Sequence, residues 1–490
     1  MEFRRNASKG IACAGLHDCN LTVHNNLMFP VKERLAPDSP PPLCPCGESF
    51  VSALQEASDA SSSISFESFR DSKRFRGVAL KTKLLALTLF GVFFLSVAAT
   101  GFAQDRQLLA LNEQAVAAQR AGDYQRAIEL GEKLCTLAEQ KLAPNSADLA
   151  VLINNLAESY RLLGQYKTAE PLYQRSLKIL EPTLERIPVE RASVLNNLGL
   201  LYKAQARYPD AELAMQQALE LNKLAFGEEH PQVAIALNNL GRVYEAQKRF
   251  DAAGAAYQRS LTIREKTLEA HDPALAVSLN NLGLFHAGRL ELDKAEALFH
   301  RAYDIWIKAL GPTHPSIGTA LNNLALIDAH RGKFEKAESS YKKALEILEK
   351  AYGPSHPEVA QTLNNLGELY DEFDKGDKAD RTYQRALEMR VKLLGVDHPD
   401  VAVTIHNVAG RKTSKGQYED AEPLYKYEIA IWERVLGPHH PLVASTLEDL
   451  GKLYELQHQY TEASPLFERA AEIREGAQCV PHSVAASPSN

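Results

Sequence analysis

Along residues 104–478 apolar side chains recur at helical spacing. Leu237, Leu240, Gly241 and Tyr244 stand at i, i+3, i+4 and i+7. Ala253, Tyr257 and Ser260 continue the same step beyond a short polar break at Gln247–Arg249. The pattern predicts two amphipathic helices folded back as a hairpin. Pro231 opens the first of them, where a proline removes no helical hydrogen bond. In sister segments the break carries Gly122, Gly164, Gly332 or Gly416.

This hairpin is one copy of nine. The pair Asn238-Asn239 recurs as Asn154-Asn155, Asn196-Asn197, Asn280-Asn281, Asn322-Asn323 and Asn364-Asn365, each 42 residues from the next. The register runs on through His406-Asn407 and Glu448-Asp449, and back to Asn112-Glu113. Alanine fills one slot in every unit, from Ala127 to Ala463, and only glycine or alanine occupies the slot of Gly241 and Gly283. Four residues after the repeated alanine stands a large side chain such as Tyr257 or Phe299. Small slots facing large ones predict helices in close contact. An unbroken period of this length predicts an all-α solenoid, a right-handed superhelix of nine stacked hairpins, rather than one compact core.

The slots resemble those of the tetratricopeptide repeat, whose pattern spans about 34 residues. Leu237, Leu240, Gly241, Tyr244, Ala253, Tyr257 and Pro231 fill its positions, with leucine in place of the usual tryptophan. The additional eight or so residues fall at the end of the second helix and in the following loop, lengthening that arm by up to roughly 12 Å if helical. The longer repeat, with "LNNLG" or "LNNLA" and connectors such as "LGPTHPSIG", is similar to that of kinesin light chain and its bacterial relatives. The resemblance implies a concave surface that grips peptide segments of partner proteins. The heptad segment by which true light chains hold a motor is not visible.

Asparagine is a poor helix former, so a pair in mid-helix asks for a reason. Both residues point away from the stripe that faces the partner helix. In a tetratricopeptide superhelix the first helices line the concave wall, which would place the amides in a ladder along the groove, offering donors and acceptors to an extended peptide. The second reading is that the amides bond one another and fix the stacking angle. The resemblance favours the second asparagine of each pair as ligand contact: Asn155, Asn197, Asn239, Asn281, Asn323, Asn365 and Asn407. The same wall carries Leu200, Leu284 and Leu326, an apolar centre suited to a peptide with apolar anchors.

Ahead of the repeats, residues 84–100 read "LLALTLFGVFFLSVAAT" behind a basic flank and before "GFAQDRQ". This is the order of a secretory signal, with Ala103 as cleavage point, and it is also just long enough for a membrane anchor. In both cases the repeats face outward, periplasmic or extracellular; the alternative is a cytoplasmic chain. A signal that begins so far in suggests that translation starts near Val78 and that residues 1–77 are a disordered or mis-annotated leader. Residues 78–103 then form the signal or anchor, and 479–490 a disordered tail.

Composition narrows the function. A formal net charge of -7 leaves no basic excess for displacing counterions from phosphates, so a nucleic acid is not expected as partner. Four of the six cysteines lie in the first fifty residues, which excludes a disulfide framework for the repeats. His230, His314, His356, His398 and His440 precede prolines one full unit apart, too far separated for a shared metal, and read as helix caps. Gly410-Arg411-Lys412-Thr413 lacks the first glycine of a phosphate loop. No catalytic residue, cofactor or metal is expected. The function expected is a non-enzymatic scaffold binding a protein or peptide. The competing expectations are a self-assembling envelope protein that pairs through its uncapped C-terminal end, and an accessory subunit of an enzyme complex.

Overall fold

The computed structural model describes residues 106–181 and 188–478. They form eighteen helices in nine hairpins: α1 (Arg106–Arg120) with α2 (Tyr124–Lys141), α3 (Ala147–Leu162) with α4 (Tyr166–Leu180), α5 (Pro188–Ala204) with α6 (Tyr208–Phe226), α7 (Pro231–Ala246) with α8 (Phe250–Thr267), α9 (Pro273–Gly288) with α10 (Leu292–Leu310), α11 (Pro315–His330) with α12 (Phe334–Tyr352), α13 (Pro357–Glu372) with α14 (Gly376–Leu394), α15 (Pro399–Ser414) with α16 (Tyr418–Val435), and α17 (Pro441–Leu456) with α18 (Tyr460–Gln478). The all-α solenoid expected from the period is the fold observed.

Local chemistry accounts for each boundary. Five first helices start behind a histidine whose Nδ1 accepts the N–H two residues on, as in His398 to Asp400 at 3.0 Å and His314 to Ser316 at 3.2 Å. Asp272 and Ser146 do the same work at α9 and α3. Such a cap satisfies one of the donors orphaned at a helix start, worth about 1 kcal/mol. Inside each hairpin the chain reverses through one residue at positive φ, and the slot repeats every 42 residues. It is glycine at 122, 164, 332 and 416, but Ala206, Lys248, Leu290, Asp374 and His458 elsewhere, at φ of 53 to 60°. The reversal is therefore set by the packing of the two helices, and glycine merely lowers its cost.

The small-to-large slots form the hairpin cores. Phe299 is fully buried beside Gly283, where an added Cβ would lie 2.6 Å from the ring. Burying such a ring contributes about 2 kcal/mol relative to leaving it in water. Tyr173, Tyr257, Tyr341 and Tyr383 occupy the equivalent positions, all buried.

The superhelix closes on itself. The Nε2–H of His356, at the start of α13, donates to the Arg120 carbonyl at 3.4 Å, and that of His398, at the start of α15, to the Leu162 carbonyl at 3.1 Å. Both pairs are 236 residues apart, so one superhelical turn takes between five and six hairpins. Lys167 Nζ reaches the Arg434 carbonyl at 3.3 Å, and Leu394 of α14 joins the cluster of Leu134 and Cys135 on α2. Among the described residues no helix is long and apolar enough to cross a membrane; the run 84–100, residues 1–77 and the tail 479–490 lie outside them.

Candidate functional site

The first helices carry the asparagine pairs on neighbouring turns of wall, and the pairs meet across units. The Nδ2 of the second asparagine donates to the Oδ1 of the first asparagine in the preceding unit: Asn197 to Asn154 at 3.2 Å, Asn239 to Asn196 at 2.8 Å, Asn323 to Asn280 at 2.8 Å, Asn365 to Asn322 at 3.1 Å and Asn407 to Asn364 at 3.3 Å. Each rung ties two hairpins side by side. Further bonds brace individual rungs, as from Gln361 Nε2 to Asn365 Oδ1 at 2.8 Å and from Asn322 Nδ2 to Asn323 Oδ1 at 3.3 Å. Asn155 and Asn281 stand in the same slot without such a bond, and the buried Nδ2 of Asn155 has no partner among the described residues.

The stacking role is thus built into the ladder, and it leaves the wall unevenly accessible. Asn323 and Asn365 are buried, whereas Asn155, Asn197, Asn239, Asn281 and Asn407 are half-buried. Of the three leucines read as apolar lining, only Leu200 is half-buried. Leu284 is 3% exposed and packed with Ala287, Phe299 and Ile327, and Leu326 is 5% exposed.

Charge is set into the same wall. Glu158 accepts two hydrogen bonds from one guanidinium edge of Arg161, from Nη2 at 2.5 Å and Nε at 2.7 Å, and a third from the hydroxyl of Tyr173 at 2.7 Å. Burial alone would favour a neutral Arg161, but the Glu158 carboxylate outweighs it and holds the guanidinium charged. Arg242, two units on, lies in the field of Arg161; burial first, and then that like charge, depress its affinity for the proton. In the seventh and eighth units Glu368 Oε1 accepts from Asn364 Nδ2 and Asn407 Nδ2, both at 2.7 Å. Burial pushes its carboxyl up to about 7 against the pull of those two amides. Beside it His406 replaces the first asparagine and contacts buried Glu428 at 3.2 Å. Glu428 also accepts from Trp432 Nε1 at 3.0 Å and Thr446 Oγ1 at 2.8 Å. Burial would lower the imidazole pKa, yet the carboxylate wins and raises it to about 9. Glu428 sits on a second helix, outside the repeated motif, and no slot rule could have singled it out.

The decoy motifs resolve structurally. The five histidines cap helices. Arg411 spans Asp380, at 2.6 Å, and Asp371, joining neighbouring hairpins.

A family profile described as tetratricopeptide repeat matches residues 106–181, 190–266, 274–350, 316–390 and 412–476, well over half of the chain. No curated protein matches the sequence. Among solved structures, BtubC (BKLC) from P. vanneervenii is 24% identical, with 50% of this chain and 93% of that one covered at a TM-score of 0.37. Nearly identical TPR-like repeats from Podosopora anserina are 23% identical over 42% of this chain and 98% of that one, at 0.35. A Rap protein complexed with Competence and Sporulation Factor is 15% identical over 76% of this chain and 99% of that one, at 0.49. With nine hairpins in register and a family profile matched along most of them, the chain belongs to the tetratricopeptide repeat family.

Proposed function

We propose that this protein is a non-enzymatic scaffold that holds an extended peptide segment of a partner protein against its concave wall, outside the cytoplasm and either exported or tethered through residues 84–100. Tetratricopeptide repeats are protein-interaction modules. The observation that carries the narrower reading is the amide ladder: donors and acceptors recur once per hairpin on the first helices, and five of the seven second asparagines remain half-exposed. Amides at regular intervals suit a polypeptide main chain, whose own donors and acceptors recur regularly. No cofactor, metal or nucleic acid enters this reading. Affinity capture of the partner, followed by cross-linking mass spectrometry, tests it. Cross-links from Lys452 on the inner wall support the reading; cross-links confined to Lys308 and Lys343 on second helices overturn it.

A second reading has its own observation. The last hairpin among the described residues exposes Leu456 and Tyr460, 53% and 61% accessible. Pairing of two copies through this end would cover them. Light scattering across a concentration series separates the readings: a monomer throughout excludes self-assembly.

A further inference from the structure

Two of the capping histidines have a second task. The Glu358 N–H donates to Nδ1 of His356 at 3.2 Å and the Asp400 N–H to Nδ1 of His398 at 3.0 Å, which caps α13 and α15. The other nitrogen of each ring reaches the neighbouring superhelical turn, at the Arg120 carbonyl that ends α1 and the Leu162 carbonyl that ends α3. One nitrogen must accept and the other donate, so both rings are held in the neutral Nε2–H tautomer. Both are buried, 5% and 4% exposed. The prolines that follow them sit on the reversal glycines of the first two hairpins: a Cβ on Gly164 would lie 3.0 Å from Pro399 Cδ, and one on Gly122 would overlap Pro357. With the Lys167 to Arg434 bond and Leu394 in the cluster of Leu134, these contacts form one seam between the first two hairpins and the seventh and eighth.

A proton added to either ring must go to Nδ1. It turns the acceptor of the cap into a donor that faces a backbone N–H, and it sets positive charge at the positive end of a helix. Charged and titratable groups reach the two rings from both turns. At His398 burial disfavours the proton most; Asp400 and the Leu162 carbonyl draw it in, and Arg390 of α14 repels it. His356 stacks on Tyr352 at 3.9 Å, beside Glu358, and Tyr124 of α2 lies in the field of Glu358 and Asp400. Burial wins at His398 and lowers its pKa, so closure is complete above the ordinary histidine value near 6.5 and is lost as pH falls through the lowered one.

We infer that the seam is a proton-operated latch: with His356 and His398 neutral it shuts the concave groove into a tube, and on proton uptake the first two hairpins part from the seventh and eighth and open the groove along its side. Its part in admitting a partner rests on the peptide-groove reading. The latch itself does not. His314 supplies the contrast: it caps α11 through Nδ1 in the same way, and among the described residues its ring bonds only its own helix.

The test uses the full chain with nitroxide labels at Gln174→Cys and Lys426→Cys, exposed on α4 and α16 on either side of the seam. Cys13, Cys19, Cys44, Cys46 and Cys479 are replaced by serine, and buried Cys135 stays. Electron–electron distances measured between pH 7 and pH 5 give the ratio of parted to closed molecules. Uptake of two protons is expected to raise that ratio by up to about 100-fold per pH unit. His356→Asn and His398→Asn, which still cap, should each reduce the rise to about tenfold, and the double variant should abolish it. His314→Asn should keep the full rise. In a separate protein, Leu200→Cys on the inner wall is offered a branched polyethylene glycol maleimide or N-ethylmaleimide at the same pH, and the ratio of the two rates should climb with the parted fraction. A distance that ignores pH, or a pH response that survives in the double variant, overturns the latch and leaves the groove reading standing. Parting without a change in the rate ratio overturns its role as a gate. Neither readout needs a peptide, so both are independent of whether the groove holds one.

Discussion

Closure of the superhelix makes a sharp prediction at two glycines of one slot. Gly122 and Gly332 both reverse a hairpin at positive φ, 72° and 73°. A Cβ on Gly332 meets nothing within 4 Å. A Cβ on Gly122 overlaps the Cδ of Pro357, with its Cγ at 3.0 Å and His356 Cδ2 at 3.1 Å. Alanine at either position carries the same left-handed cost, about 1 kcal/mol, comparable to what Ala206 already bears. The difference between the variants is the contact between superhelical turns. A proline ring cannot swing aside, so either the overlap is absorbed at about 1–3 kcal/mol or the turns part. Parting exposes Leu394 and gives up the His356 to Arg120 bond. Gly122→Ala should therefore cost about 2–4 kcal/mol in urea denaturation followed by circular dichroism. Gly332→Ala should cost about 1. X-ray scattering should show a larger radius of gyration for Gly122→Ala alone. Equal losses in the two variants, with equal scattering, would refute the closed turn.

Other outcomes follow from the cores and caps. Gly283→Ala drives a Cβ against the buried Phe299 ring and should cost about 1–3 kcal/mol by the same denaturation; Gly227→Ala has open space around it but sits at φ 82° and ψ 167°, a region essentially restricted to glycine, and should cost about 1–3 kcal/mol from backbone strain alone. Burial lowers the pKa of the capping His398, against the opposing effects of Asp400 and the Leu162 carbonyl. Its neutral form is favoured in the fold, so its stabilisation is complete above the unfolded value near 6.5 and is lost as pH falls through the folded value. His398→Asn, which can still cap, should flatten the difference in urea midpoint between pH 8 and pH 5. The sign reverses at His406, raised to about 9: the Glu428 pairing stabilises fully below about 6.5 and fades as pH rises through 9, and His406→Asn should remove that alkaline loss.

The sequence carried the hairpins because their determinants are local and repeat nine times. Pro231 and its sisters mark helix starts, and the constant alanine with its large neighbour marks the core. The reversal slot was legible where it held glycine; at Lys248 and Leu290 helix packing forces the same conformation on residues that give no sign of it. The period also contained the ladder, since consecutive pairs in one register must face one another. Which rungs close was less evident: the slots of Asn238 and Asn281 hold the same residues as the closed rungs on either side, yet Asn238 Oδ1 accepts no hydrogen bond among the described residues. The burial of Leu284 and Leu326 was missed because their slot on the first helix shows only which face they share, whereas Leu284 is covered by Phe299 and Ile327 from neighbouring helices. Closure of the superhelix was not legible at all. It joins residues 236 apart through the sum of small rotations between hairpins, and no single unit records that sum.

The central claim is that a partner lies against the first helices. A photo-reactive benzophenone side chain placed at Leu200, on the concave wall, and in a second protein at Leu224, on a second helix and 80% exposed, tests it directly. The account predicts that the bound peptide or partner becomes cross-linked at position 200 and not at 224. Cross-linking at 224 alone would contradict it.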